Sequence, residues 1–316
     1  MDKGFKYNEP WILQRADPFI VRHDDGIYYF TASVPAYDGI CLRKSTTLEG
    51  LKDAKEVEIW HKHNEGPMSI HIWAPEMHNI EGKWYIYFAG GDKDDIWNIR
   101  PYVLECQGDD PINDSWKELG KMQSADEDEF SFKAFSLDAT VFKNNGKWYY
   151  VWAEKVGVGK QISNLYIAEM EKPNKLKTVQ VLLSTPDYDW ERGDFWVDEG
   201  PAVIKKGNNI FLTFSASDTG PSYCIGMLKT TVDADLLDPQ SWVKSRYPVV
   251  ETDEKRNIYG PGHNSFTVDE DGNDIMVYHA RTESKIVGDP LYNPNRHTQL
   301  MKINWSKDGM PIFSFI

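Results

Sequence analysis

DATVFKNNGKWYYVWAE, residues 138–154, runs from an apolar stretch through a polar turn at Gly146 into an aromatic stretch that closes on small residues. Val, Phe, Tyr and Trp suit a pleated, half-buried surface, and Asn-Asn-Gly tolerates positive φ, so the segment reads as a β-hairpin. The same pattern returns in DPFIVRHDDGIYYFTAS (17–33), APEMHNIEGKWYIYFAG (74–90), EGPAVIKKGNNIFLTFSAS (199–217) and HNSFTVDEDGNDIMVYHAR (263–281). The turn glycines 26, 82, 146, 207 and 272 lie roughly 56 to 65 residues apart, room for a four-stranded sheet with loops in each interval. Stretches such as NLYIAEME (164–171) and YCIGMLKT (223–230) read as further strands. Helical periodicity is almost absent; STTLEGL (45–51) is one candidate for a single turn. The expectation is an all-β chain, a five-bladed β-propeller forming one domain over residues 1–316, with its active site in the central channel. The acidic stretch 108–134 reads as a solvated loop between the second and third units, or as a lid over one face.

Composition narrows the function. Aromatic residues make up 13% of 316 residues, and their faces stack on flat ligands and sugar rings. A formal charge of −14 argues against nucleic acid, which is bound by neutralising phosphates, and against an anionic membrane surface. Cys41, Cys106 and Cys224 are odd in number and widely spaced, so neither a disulfide framework nor a zinc motif follows. With no apolar h-region near the N-terminus, the expected location is cytoplasmic.

In a propeller the first strand of each blade lines the channel, so its opening residues converge from distant parts of the chain. Counting back eight or nine residues from each turn glycine finds Asp17, Ala74, Asp138, Glu199 and His263. Asp198 and Glu199 are adjacent in an extended segment and should point opposite ways, and the repeat phase selects Glu199 for the channel. Several carboxyls and a histidine in an aromatic-lined pocket suit acetal hydrolysis. One carboxylate takes a proton from water while a second, kept protonated, gives one to the departing oxygen.

RADPFIV (15–21), HIWAPEMH (71–78), SLDATVF (136–142), VDEGPAVI (197–204) and YHAR (278–281) together resemble glycoside hydrolase family 43, in order and across essentially the whole chain. The WAPE and YHAR contexts look most like the exo-acting α-L-arabinofuranosidases. The resemblance implies hydrolysis with inversion: Asp17 as general base, Glu199 as general acid, and Asp138 orienting Glu199 and raising its pKa. It makes Arg281 the channel arginine and sets His263 on the axis, substrate-facing and beside a structural calcium held through water. No cofactor is required otherwise. Trp73, Phe30 and Tyr223 are expected as pocket walls. Trp84, Trp148 and Trp152 are expected in the core, and His71 and His78 flank the WAPE motif without needing a catalytic part.

The rival readings are a β-xylosidase or endo-arabinanase of the same family, a retaining β-fructosidase, and a sugar-binding propeller without turnover. A fructosidase would carry an NDPNG-like motif and Glu-Cys where this chain has RADPFI and DEGP. A binding module is expected to have lost one of the carboxyls. The expected substrate is an arabino-oligosaccharide, α-1,5-linked, with branched xylan fragments as a further source, imported and trimmed inside the cell. The sequence leaves oligomeric state open.

Overall fold

The computed structural model describes residues 7–155 and 162–315. Among them, regular structure is almost entirely strand, and the helical content is four 3-10 turns, of which Glu49–Leu51 falls in the STTLEGL stretch. The first sheet orders β1 (Ala16–Arg22), β2 (Tyr28–Ser33), β3 (Gly39–Ser45) and β4 (Val57–His61). The second orders β5 (Pro67–Ile80), β6 (Lys83–Asp92), β7 (Asp95–Cys106) and β8 (Trp116–Lys121). The third unit holds β9 (Ser136–Asn144), β10 (Lys147–Lys155) and β11 (Ile162–Lys172), with the short β12 (Lys175–Leu176) and β13 (Val181–Ser184) beside β11. The fourth holds β14 (Trp196–Lys206), β15 (Asn209–Ala216), β16 (Cys224–Thr231) and β17 (Val243–Lys244). The fifth holds β18 (Tyr259–Val268), β19 (Asp274–Arg281) and β20 (His297–Lys302), followed by the small pair β21 (Asn304–Trp305) and β22 (Pro311–Ile312).

Two features depart from five separate sheets. A parallel contact between β11 and β14, Ile162 opposite Trp196 and Ser163 opposite Val197, joins the third and fourth units into one sheet. The three-stranded fifth sheet gains an edge from the N-terminal segment, where Trp11 N donates to Thr298 O (2.8 Å) and Thr298 N to Ile12 O (2.9 Å). The first strands of the units touch in a closed ring: β1 meets β5, β5 meets β9, β9 meets β14, β14 meets β18, and β18 returns to β1.

The second strands explain why each hairpin reads as continuously apolar. β2, β6 and β10 are buried on both faces, so alternation disappears. Trp84 and Trp152 are core residues, and Trp148 is half-buried against the cluster around Trp152. The turn residue Gly146 sits at φ 78°, a region open to glycine without cost.

The 108–134 stretch is not a solvated loop. Its centre is β8, and Met122 and Phe132 behind it are buried. The buried carboxylate of Glu154 accepts from the backbone N–H groups of Phe132 (3.0 Å), Lys133 (3.1 Å) and Ala134 (3.2 Å) and from Trp152 Nε1 (2.9 Å). A segment whose backbone donors are met by a buried acid is fixed, however acidic its composition.

Candidate active site

The inner strands share one irregularity. Leu137 pairs with Ala153 but Thr140 with Val151, so Asp138 and Ala139 together face a single residue. The same two-against-one bulge places Asp17-Pro18 in β1, Ala74-Pro75 in β5, Gly200-Pro201 in β14 and His263-Asn264 in β18. The first residue of each bulge has positive φ: 53° at Asp17, 47° at Ala74, 49° at Asp138, 53° at Gly200 and 42° at His263. Bulges re-aim side chains. The left-handed backbone is strained for every one of these residues except glycine.

Glu199 is therefore not the bulge residue of its unit, as counting from the turn suggested. Gly200 is, and Glu199 sits one place upstream, in register with Trp73 of the second unit. The count slips because the turns differ: Gly146 is the second residue between paired Asn144 and Lys147, whereas Gly207 is the first between Lys206 and Asn209. Glu199 still faces the channel. Asp198 turns away and is buried against Ser184 Oγ (2.5 Å) and Lys244 Nζ (3.5 Å).

Asp17, Asp138, Glu199 and His263 line one cavity of about 500 Å³, with Trp73, Trp97 and Phe195 among its walls. Such a volume suits a small ligand. His263 Nδ1 stands 3.4 Å from Asp17 Oδ1 and 3.6 Å from Asp138 Oδ2. Burial disfavours a charged His263, but the carboxylates of Asp138, Asp17 and Glu199 overcome it and raise its pKa.

The three carboxyls are pushed apart. Burial would raise Asp17, yet the neighbouring His263 and the Arg296 guanidinium oppose it, and Asp17 is held well below the usual carboxylate range. Burial, with the charges of Glu199, Asp17 and Glu76, pushes Asp138 up to about 8 against the pull of His263. Glu199 is also raised, by burial first and by Asp17, while the Tyr223 hydroxyl and His263 oppose the shift. One carboxyl held low and two pushed up thus face the same space.

The expected binding residues divide. Trp73 lines the cavity, stacked on His71 with ring centres 4.4 Å apart and edge-on to Tyr37 at 5.7 Å. Tyr223 lines it too, donating to Glu199 Oε1 at 2.8 Å. Phe30 does not: it lies mid-strand in the core between the first and fifth units, 1% exposed. Arg281 does not either. It is buried, with its N–H groups spent on Thr219 O (3.1 Å), Pro290 O (2.7 Å), Asn293 Oδ1 (3.0 Å) and Asn295 O (3.3 Å), which clamps the 282–296 loop. The arginine in the cavity is Arg296, whose Nη1 is 3.8 Å from Asp17 Oδ1 and whose Nη2 donates to Tyr37 Oη. A search of first strands misses it, because it precedes a third strand.

His71 and His78 serve neighbours: His71 joins Ile96 O (3.0 Å) to Tyr292 Oη (2.9 Å), and His78 meets Glu76 (2.8 Å). The cluster does not supply a direct calcium cage. Calcium takes oxygen ligands, whereas His263 presents a nitrogen already facing two carboxylates. Among the described residues no three His, Cys, Asp or Glu side chains are gathered to hold a metal ion.

Comparison with known proteins follows the same line. Residues 7–311 match the family described as Glycosyl hydrolases family 43. An extracellular exo-alpha-(1->5)-L-arabinofuranosidase of Streptomyces avermitilis is 49% identical over 308 residues, 97% of this chain and 63% of that protein. One of the same name from Streptomyces chartreusis is 48% identical over 285 residues, 90% of this chain and 85% of that protein. The crystal structure of an alpha-L-arabinofuranosidase from Lactobacillus brevis superposes with a TM-score of 0.91 at 50% identity, covering 98% of this chain and 96% of that one. The chain thus spans 63% of the length of the Streptomyces avermitilis relative.

The names of the two Streptomyces relatives overturn the cytoplasmic expectation. All three thiols are free yet shielded. Cys106 and Cys224 are buried, and burial pushes the half-buried Cys41 up to about 11, so little reactive thiolate forms.

Proposed function

The chain belongs to glycosyl hydrolase family 43, and from that premise we propose that it is an inverting exo-acting α-L-arabinofuranosidase. It releases terminal L-arabinofuranose from α-1,5-linked arabino-oligosaccharides, with arabinoxylan fragments as a further source, and acts outside the cell. The closed ring of first strands is, in this reading, the hub of a five-bladed β-propeller that forms one domain. The names of the relatives support the substrate. The observation that carries the chemistry is the convergence of Asp17, Asp138 and Glu199 on one cavity, in surroundings that lower the pKa of Asp17 and raise those of the other two.

Asp17, held ionised, takes a proton from a water whose oxygen attacks the anomeric carbon. Glu199, held protonated, gives its proton to the glycosidic oxygen as the carbon–oxygen bond breaks from the opposite face. Solvent then removes the proton from Asp17 and restores that of Glu199. Asp138 shares the cavity with Glu199, and ionising Glu199 disfavours ionisation of Asp138, so Asp138 orients the acid as a protonated partner. His263 and Arg296 hold Asp17 ionised, and Trp73 offers an apolar face to the sugar ring. No step is routed through a cation.

Incubation with arabinotriose, xylobiose and linear arabinan, followed by product chromatography, tests the assignment. Arabinose is the expected first product. Xylose outpacing arabinose, or internal cleavage of arabinan before any monosaccharide, would replace the reading with one of its rivals.

A further inference from the structure

The residue opposite each pre-bulge position has a second use. These residues are Ser33, Ala89, Ala153, Ser215 and His279, one per unit. Wherever that side chain can accept a hydrogen bond, it takes the backbone N–H of the next unit's bulge residue. Ser33 Oγ accepts from Ala74 N (2.8 Å), Ser215 Oγ from His263 N (2.6 Å), and His279 Nδ1 from Asp17 N (3.1 Å). The last of these crosses from the fifth unit back to the first. Each contact is buried and grips a residue whose φ is positive.

Asp17 alone is gripped from both sides. His279 holds its backbone, while Ser33 donates to its Oδ2 at 2.5 Å. The His279 ring also lies parallel to Tyr223, with centres 5.7 Å apart and planes 7° apart, and Tyr223 in turn donates to Glu199. We infer that His279, with Ser33, is a positioning residue that fixes the Asp17 carboxylate across the junction between units and sets its spacing from Glu199 through Tyr223. This rests on the hydrolase reading above.

His279 Nδ1 faces both the Asp17 N–H (3.1 Å) and Asp17 Oδ1 (3.3 Å); the backbone N–H can only donate, so in the shorter contact Nδ1 is the acceptor and the ring is the neutral tautomer with hydrogen on Nε2. Burial, which lowers the His279 pKa to about 4, keeps it so. A strained bulge left without its acceptor can relax, and a misplacement of about 1 Å at a reacting group costs on the order of 100-fold in rate.

His279→Phe keeps a ring against Tyr223 but cannot accept from Asp17, whereas His279→Gln keeps a carbonyl acceptor and loses the stack. Both are assayed against wild type on a 2,4-dinitrophenyl α-L-arabinofuranoside, which needs no acid to depart, and on arabinobiose, which does. The expected result for His279→Phe is a fall in kcat of about 10- to 100-fold, equal on the two substrates, with KM little changed. Equality marks a defect at the base. His279→Gln is expected to recover most of the loss on the dinitrophenyl substrate. Should His279→Phe fail to fold, Ser33→Ala carries the same expectation on both substrates. A loss confined to arabinobiose, or variants within twofold of an active wild type, would overturn the inference. A wild type that cleaves neither substrate would instead remove the functional reading, and this inference with it.

Discussion

Tyr223 donates its phenolic hydrogen to Glu199 Oε1 across 2.8 Å, in a pocket where the tyrosine is 2% exposed. A donor aimed at the proposed acid favours its ionised form, the form left after the proton has gone to the leaving oxygen. Burial still dominates and Glu199 stays raised. Tyr223 therefore moderates the shift and stabilises the carboxylate formed during reaction.

Tyr223→Phe is expected to slow arabinobiose cleavage by about 10- to 100-fold, the worth of a hydrogen bond to a charged group. The dinitrophenyl substrate, which does not need the acid, should be nearly unaffected. The lost donor lets the Glu199 pKa rise further, so the basic limb of the kcat/KM profile moves to higher pH. Steady-state rates on both substrates across pH check this.

Asp138→Asn makes a stability prediction with a defined sign. The folded pKa of about 8 lies above the unfolded carboxyl value of about 3.9, so folding resists ionisation of this group. Below the unfolded value both states are protonated and no penalty exists. The penalty grows as pH rises from about 4 to about 8 and is constant above. Asparagine resembles the protonated acid, so the variant should lie closest to wild type in Tm near pH 4 and exceed it at pH 8, while losing most activity. Thermal melts at the two pH values check it, and a Tm difference that shrinks with rising pH would contradict the assignment.

The two arginines at the 282–296 loop should separate by kinetics. Arg281 donates to three oxygens of that loop, those of Pro290, Asn293 and Asn295, and to Thr219 O outside it, and Asp289 and Leu291 of the loop line the cavity. Arg281→Lys loses the planar fork and is expected to lower Tm by several degrees and raise KM with kcat largely kept. Arg296→Lys keeps the charge but loses the planar fork shared between Asp17 and Tyr37, and should lower kcat instead. Melts and Michaelis profiles of the pair distinguish them.

Much of the site was legible because the repeat is carried by strand and turn chemistry. Asp17, Asp138 and His263 were found by phase, and the structure puts them at equivalent bulges. Glu199 was found by a count that is off by one place, since a turn glycine can occupy either loop position. Arg296, Ser33 and His279 escaped because they stand on second strands or ahead of a third, where apolar runs hide which polar side chain looks inward. Arg281 and Phe30 were misplaced for a related reason. Motif proximity says nothing of direction, and a buried arginine can serve loop carbonyls as well as a sugar.

The configuration of the sugar at the moment of release tests the central claim most directly. Proton NMR during early turnover of arabinotriose is expected to show β-L-arabinofuranose first, with the α anomer appearing only as the product equilibrates. An α anomer formed first would mean retention, and the assignment of Asp17 to water activation would be contradicted.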